Sequence, residues 1–503
     1  MTGTAERPSG KSNDQTTGQS GGTPSTADVD PKIRRRVTAL ALAAAVGGFL
    51  FGFDSSVING AVDAIGEQFG LTAFIQGFAV AIALLGCAVG AYLAGNLADR
   101  FGRLRVMLIG AILFFVSSVG AALAFGVVDF MVWRVIGGLG IGIASVVAPT
   151  YIAEVVPALV RGRLASFQQL AITIGIFAAL LSDALLAGFD GKDGASQILL
   201  GLEAWRWMFL VGVIPSVVYG ILALRLPESP RYLLAKGDTE TATGVITTVV
   251  PKAEVKEEVA RIRKSIDEDR ENEKKATLRG SALGLAPVVW IGLALSVFQQ
   301  FVGINVIFYY STTLWNAVGF KDSFLISVIS SVINVAVTFI AIAFVDKVGR
   351  RPMLIVGSAA MAVTLGLMAV SFSQAQTDGD AVSLPAPWGI IALLAANGFV
   401  VAFGATWGPL VWVLLGEIFP NRIRAKALGV AASAQWIANF LITVSFPAIS
   451  ELSLVLAYGL YAAFAALSFF FVFFFVPETK GVKLEDVGGL VFGRSKKKAA
   501  ATT

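Results

Sequence analysis

Long apolar runs separated by short charged gaps set the rhythm of this chain. A membrane-spanning helix needs roughly 20 mostly apolar residues. Twelve stretches qualify, at about 37–60, 73–97, 104–125, 128–156, 161–187, 205–226, 284–316, 323–347, 352–373, 386–418, 423–449 and 453–476. The gaps repeat in the same order in each half. Asp99-Arg100-Phe101-Gly102-Arg103 follows the second stretch and Asp346-Lys347-Val348-Gly349-Arg350-Arg351 the eighth. Glu154-Val155-Val156-Pro157 with Arg161 closes the fourth, and Glu417-Ile418-Phe419-Pro420 with Arg424 closes the tenth. Pro227-Glu228-Ser229-Pro230-Arg231 follows the sixth and Pro477-Glu478-Thr479-Lys480-Gly481 the twelfth. Three matched loops in register predict an all-α membrane protein of twelve transmembrane helices in two pseudo-symmetric six-helix halves, a build suited to a secondary transporter with its site between the halves.

Composition excludes the soluble alternative: 56% of the 503 residues are hydrophobic and only 15% charged, against about 25% charged in soluble domains. Short cytoplasmic loops hold an excess of Lys and Arg. Here the basic residues cluster before the first helix, in the even-numbered connections and in the tail, which puts both termini in the cytoplasm of a multi-pass plasma-membrane protein. The net charge of +5 thus reports topology, and no contiguous basic face for nucleic acid is visible. The expected division is a disordered cytoplasmic tail (1–36), an N-terminal half (37–227), a cytoplasmic helical linker (228–282), a C-terminal half (283–477) and a second tail (478–503). Glu254 to Lys275 carry charges at helical spacing, and this linker helix would serve either as an inner-gate latch or as a plain connector. No cleavable signal is expected, since the first apolar segment starts late and is long enough to span.

With no histidine in the chain, any coupled proton must ride on a carboxylate. Asp54 in the first helix and Arg134 in the fourth are the ionisable residues expected inside the bilayer, where such groups are costly and by default functional. Either they form a static pair pinning two helices, or a separation that changes during transport alters the proton affinity of Asp54. Asp183 is a rival carboxylate, expected near the outer end of the fifth helix and in contact with water. Asp99, Arg103, Glu154, Arg161, Glu228, Arg231, Arg350, Glu417, Arg424 and Glu478 make up an expected cytoplasmic gate. Gly137-Gly138-Leu139-Gly140-Ile141-Gly142 follows no strand, so it reads as small-residue helix packing rather than a dinucleotide loop. No Walker motif, metal-ligand cluster or nucleophile with a base is present. No cofactor, metal or enzymatic chemistry is therefore expected. Primary amides recur inside apolar helices: Gln168 and Gln169, Gln299 and Gln300, Asn305, Asn334, Gln435 and Asn439. Each costs about 1–3 kcal/mol if buried without a partner. Such a set calls for a polar ligand or a wet cavity, unless the amides glue helices to one another.

The two matched Pro-Glu motifs, together with Gln299-Gln300-Phe301-Val302-Gly303-Ile304-Asn305, resemble the sugar porter family of the major facilitator superfamily over almost everything after residue 35. The resemblance implies a sugar-binding role for Gln169, Gln299, Gln300, Asn305, Asn334, Trp412 and Asn439, with Gln435, Trp436 and Phe51 lining the same pocket. Amides that donate and accept, beside an aromatic plate, suit a ring of hydroxyls with apolar faces. Trp407 is expected to pack beside Gly408-Pro409, a break that could let the tenth helix bend. Family members that couple to protons carry Asp at position 54 where facilitators have Asn. Ile176, aliphatic as in glucose carriers, tilts the reading toward a hexose over xylose. The expected activity is proton-coupled import of a monosaccharide, D-glucose first, by a functional monomer using alternating access. Open alternatives are a myo-inositol or pentose symporter, a proton-independent uniporter, or a sugar sensor that does not transport.

Overall fold

The computed structural model describes residues 31–156, 158–188, 194–275, 278, 282–320, 322–378, 381–420 and 423–479. Twelve helical segments in it are long and apolar enough to cross a membrane. The first half comprises α1 (Pro31–Gln68), α2 (Ala73–Phe101), α3 (Arg103–Ala122), α4 (Val127–Val155) and α5 (Ala158–Ala187), then a sixth span in two pieces, α6 (Ala204–Val211) and α7 (Val213–Arg225). A linker of α8 (Pro230–Ala235), α9 (Thr239–Ile246) and α10 (Val255–Lys275) follows. The second half begins with a seventh span broken into α11 (Pro287–Phe301), α12 (Ile304–Tyr309) and α13 (Ser311–Ala317). It continues through α14 (Ser323–Val348), α15 (Arg350–Phe372), a tenth span split into α16 (Trp388–Ala405) and α17 (Trp407–Ile418), α18 (Arg424–Leu452) and α19 (Leu454–Phe475). Two short hairpins lie in loops, β1 (Gln197–Leu199) with β2 (Leu202–Glu203), and β3 (Gln376–Asp378) with β4 (Ala381–Ser383).

The sequence anticipated every span and, through Gly408-Pro409, a break in the tenth, but not the breaks in the sixth and seventh. It also set α1 too short: the helix begins at Pro31 and takes in Lys32 to Arg36, which the sequence pattern assigned to the disordered tail. Residues 1–30 lie outside the described residues. Backbone hydrogen bonds within a helix do not stop at the edge of an apolar run, and long basic side chains reach out from a helix end to the polar interface.

Lipid supplies no hydrophobic drive between helices, so close backbone approach has to hold the bundle together. The glycine run in α4 provides it. A Cβ on Gly138 would lie 2.0 Å from the Ala83 carbonyl oxygen of α2, so only glycine allows α2 and α4 to pack as they do. Large apolar side chains such as Tyr92, Leu224, Leu394 and Phe475 point outward, as a lipid-facing surface requires. The halves meet along two main seams, α2 with α18 and α5 with α14, and α1 also touches α12 and α13. The linker packs on the first half, where Ile246, Val249, Val250 and Val255 join its core.

Candidate functional site

Asp54 of α1 and Arg134 of α4 meet inside the first half, Nη1 donating to Oδ1 at 2.7 Å, with side-chain exposures of only 6% and 3%. Attraction between the opposite charges offsets part of the desolvation cost of burying both. The guanidinium carbon lies 5.6 Å from the Phe209 ring centroid. A small cavity touches the pair and is lined also by Phe51, Ser55, Cys87 and Tyr309. The Tyr309 hydroxyl sits beside both Ser55 of α1 and Asn439 of α18. One phenol therefore lies between the neighbour of Asp54 and one of the amides.

The break in the seventh span brings two of the other amides, Gln300 and Asn305, together. Gly303 adopts φ 82°, a left-handed conformation that few residues other than glycine take readily, and it separates α11 from α12. Across that turn the Asn305 amide donates to Gln300 Oε1 at 2.5 Å. Gln299 instead donates to the carbonyls of Trp407 (3.0 Å) and Gly408 (3.2 Å), at the break of the tenth span. Its Oε1 has no partner among the described residues. Trp407 is fully buried, as expected, and its Nε1 donates to Ser358 Oγ at 3.0 Å. Asn334 Oδ1 lies beside Gly404 near the same break. On α18, Asn439 accepts from Thr443 Oγ1 at 3.1 Å. Trp436 meets Phe51 edge to face, ring centroids 5.3 Å apart.

Gln435 Oε1 and Gln168 Oε1 are buried without a partner among the described residues, and Gln169 is half-buried. Trp412 is 42% exposed, the least enclosed of the expected pocket residues.

The charged loops form two matching networks on the face that carries the linker. In the first half Arg103 Nη2 donates to Glu154 at 2.8 Å and lies 3.0 Å from Asp99, while Ser229 Oγ donates to Glu154 at 2.5 Å. In the second half Arg350 Nη2 donates to Glu417 at 2.9 Å and Thr479 Oγ1 donates to it at 2.5 Å. Ser229 and Thr479 were not singled out from the sequence, although both hold the third position of the repeated Pro-Glu motif.

Three of the expected gate charges do something else. Glu228 accepts from the backbone N–H of Arg103 (3.1 Å) and Leu104 (3.3 Å), and Glu478 from those of Arg350 (3.1 Å) and Arg351 (3.0 Å). These two carboxylates cap the N-termini of α3 and α15, where free N–H groups and the helix dipole favour negative charge. Arg424 donates to the Phe419 carbonyl at 3.0 and 3.2 Å rather than to Glu417. Arg231 lies 3.9 Å from Glu154 and donates to Ser265 of the linker at 3.2 Å. Arg161 falls outside the described side chains.

The opposite face is closed by contacts that sequence reading did not anticipate. Asn59 Oδ1 accepts from Thr312 N at 2.9 Å, Thr312 Oγ1 donates to the Asn59 carbonyl at 2.6 Å, and Thr313 Oγ1 donates to Asp63 at 2.7 Å. These bonds tie α1 of one half to α13 of the other. Phe78 meets Phe440 nearby, centroids 6.1 Å apart. Asp183 also departs from expectation. It is not wet but 1% exposed, packed against Gly60 of α1 and Met208 of α6.

The family described as "Sugar (and other) transporter" matches residues 40–490, from α1 past the end of α19. The chain belongs to this family of sugar transporters. Among curated relatives, the glucose transport protein of Synechocystis sp. is 51% identical over 447 residues, covering 88% of this chain and 95% of that protein. The D-xylose-proton symporter of Escherichia coli K12 is 36% identical over 502 residues, covering 93% and 98%. Among solved structures, the inward open conformation of the E. coli xylose transporter XylE superposes with a TM-score of 0.76 at 35% identity, over 90% of this chain and 99% of that one. The chain is accordingly a transporter and not an enzyme.

Proposed function

We propose that this transporter is a proton-coupled monosaccharide symporter, with D-glucose its first substrate, and that the linker face is the cytoplasmic face of the plasma membrane. The observation that carries the reading is the buried Asp54–Arg134 pair set beside a cluster of amides. In a chain without histidine, a membrane-buried carboxylate whose cation partner sits on another helix is suited to bind and release a proton as the helices move. The glucose and xylose-proton relatives agree with that chemistry, and the greater likeness to the glucose carrier supports a hexose.

The sugar would bind between the halves, with Gln169, Gln299, Gln300, Asn305, Asn334, Gln435 and Asn439 exchanging hydrogen bonds with its hydroxyls. Trp412, Trp436 and Phe51 would offer apolar faces to its C–H surface. Protonating Asp54 removes its attraction for Arg134, so α1 and α4 are freer to shift. Tyr309 would pass that shift on to Asn439, since it lies beside both Ser55 and Asn439. With the opposite face latched by Asn59 and Thr312, the structure fits a state that releases sugar toward the linker side.

The reading is tested by uptake of labelled glucose into proteoliposomes under an imposed proton gradient. Accumulation above the external concentration, collapsing when a protonophore is added, is the expected result. Uptake that merely equilibrates and ignores the protonophore would make this protein a facilitator.

A further inference from the structure

Asp183 is a buried acid with no part in the coupling step proposed above. On α5, among the described residues it accepts one hydrogen bond, from Gly60 N at 3.3 Å, and its Oδ1 has no partner. The contact is tight: a Cβ on Gly60 would lie 2.8 Å from Asp183 Cβ and 2.8 Å from Met208 Sδ. The elements packed around it carry Asp54, Asp63 and Glu67 of α1, Asp129 and Arg134 of α4, Glu203 and Arg206 at the start of α6, and Asp322 before α14, while Lys32, Arg34, Arg35 and Arg36 of α1 and Glu154 of α4 stand at the far ends of their helices from Gly60 and Phe130. Arg134 is engaged by Asp54, and Arg206 by Glu203 and the Ala122 and Ala124 carbonyls. Among the described residues no cation pairs with Asp183. An ionised carboxylate held this way would lose its hydration for a single weak hydrogen bond. A neutral acid gives up only the hydrogen bond of one hydroxyl.

The placement matters because Gly60 follows Asn59, the residue of α1 that takes the Thr312 bonds across the halves. α5 borders the other half through α14, so separation of the halves at this face would let water reach the end of α5, where a hydrated Asp183 can ionise. We propose that Asp183 is a second proton-binding site: it takes a proton from water on the face opposite the linker as that face closes, and returns it to the same side on reopening. The proton binds one carboxylate oxygen and never crosses the membrane, so Asp183 sets how readily this face closes without adding to the protons carried per sugar. The inference rests on the alternating-access reading above but not on Asp54 as the coupled group. Its sign is fixed: the closed form binds the proton, so acid on that side favours closure. The closed-to-open ratio changes by at most about tenfold per pH unit for one proton.

Two measurements test it. Infrared difference spectra of purified wild type minus Asp183→Asn at neutral pH should show the carbonyl stretch of a protonated carboxylic acid. A difference made up of ionised-carboxylate bands overturns the proposal. In proteoliposomes, glucose exchange by Asp54→Asn, which lacks the proposed coupling carboxylate, should slow as external pH rises at fixed internal pH, and Asp54→Asn/Asp183→Asn should lose that dependence. A double variant as pH-sensitive as Asp54→Asn alone would also overturn it. Should Asp54→Asn be too unstable to exchange glucose, the infrared band of wild type minus Asp183→Asn decides the proposal by itself.

Discussion

Gln300 and Asn305 meet only because the chain turns left-handed at Gly303 between them. Each truncation should remove hydrogen bonds to substrate and strand the other amide, so Gln300→Ala and Asn305→Ala are each expected to weaken glucose binding by about 1–3 kcal/mol. Calorimetry on the purified variants checks this, and unchanged affinity in both would move the site off the seventh span. Trp412→Ala should weaken binding through lost ring contact; retained affinity would leave this half-exposed side chain as packing or lipid contact. At this scale the sequence exposed much of the chemistry, because amides and a lone Asp stand out against an apolar helix. It could not show which amides face one another. The engagement of Gln299 with the carbonyls at the break of the tenth span depends on residues more than a hundred positions away. The dryness of Asp183 likewise depends on Gly60 and Met208, which no local pattern links to it.

Helix ends carry the repeated loops. Glu228 and Glu478 look like partners for arginines in sequence, since a motif displays charge but not the direction in which a carboxylate points. In the fold both cap helix N-termini, and the neighbouring hydroxyls of Ser229 and Thr479 complete the networks around Glu154 and Glu417. Loss of such a cap typically costs about 1 kcal/mol. Glu228→Gln and Glu478→Gln should therefore lower thermal stability by similar, modest amounts, as read by unfolding of the detergent-solubilised protein. Equal stability of both variants and wild type would show that the caps contribute nothing. The breaks of the seventh and tenth spans were only partly legible. Pro409 marked the tenth in advance, but the backbone turn at Thr406, with φ −132° and ψ −83°, is set by tertiary packing.

At the scale of the whole molecule, twelve spans, duplicated loops and the linker were all readable, because hydrophobic runs and charged gaps are imposed by the bilayer itself. Which face is closed was not readable, since it depends on contacts between halves such as Asn59 with Thr312. Asn59→Ala and Thr312→Val should loosen that closure by roughly 1 kcal/mol each. Spin-label distances across the face should then shift toward longer values, and an unchanged distribution would show that the latch is incidental. The central claim is that Asp54 carries the coupled proton. In Asp54→Asn the side chain is locked neutral, and Arg134 loses its one ion-pair partner among the described residues. Stability should fall by roughly 3–5 kcal/mol, or less where water reaches the site. The most direct test is the pH of a weakly buffered suspension of cells or proteoliposomes as glucose is added. Wild type should make the medium alkaline as protons enter with sugar, while Asp54→Asn should bind and exchange glucose with no pH change. Alkalinisation that persists in Asp54→Asn would contradict the account and place the coupled proton on another group.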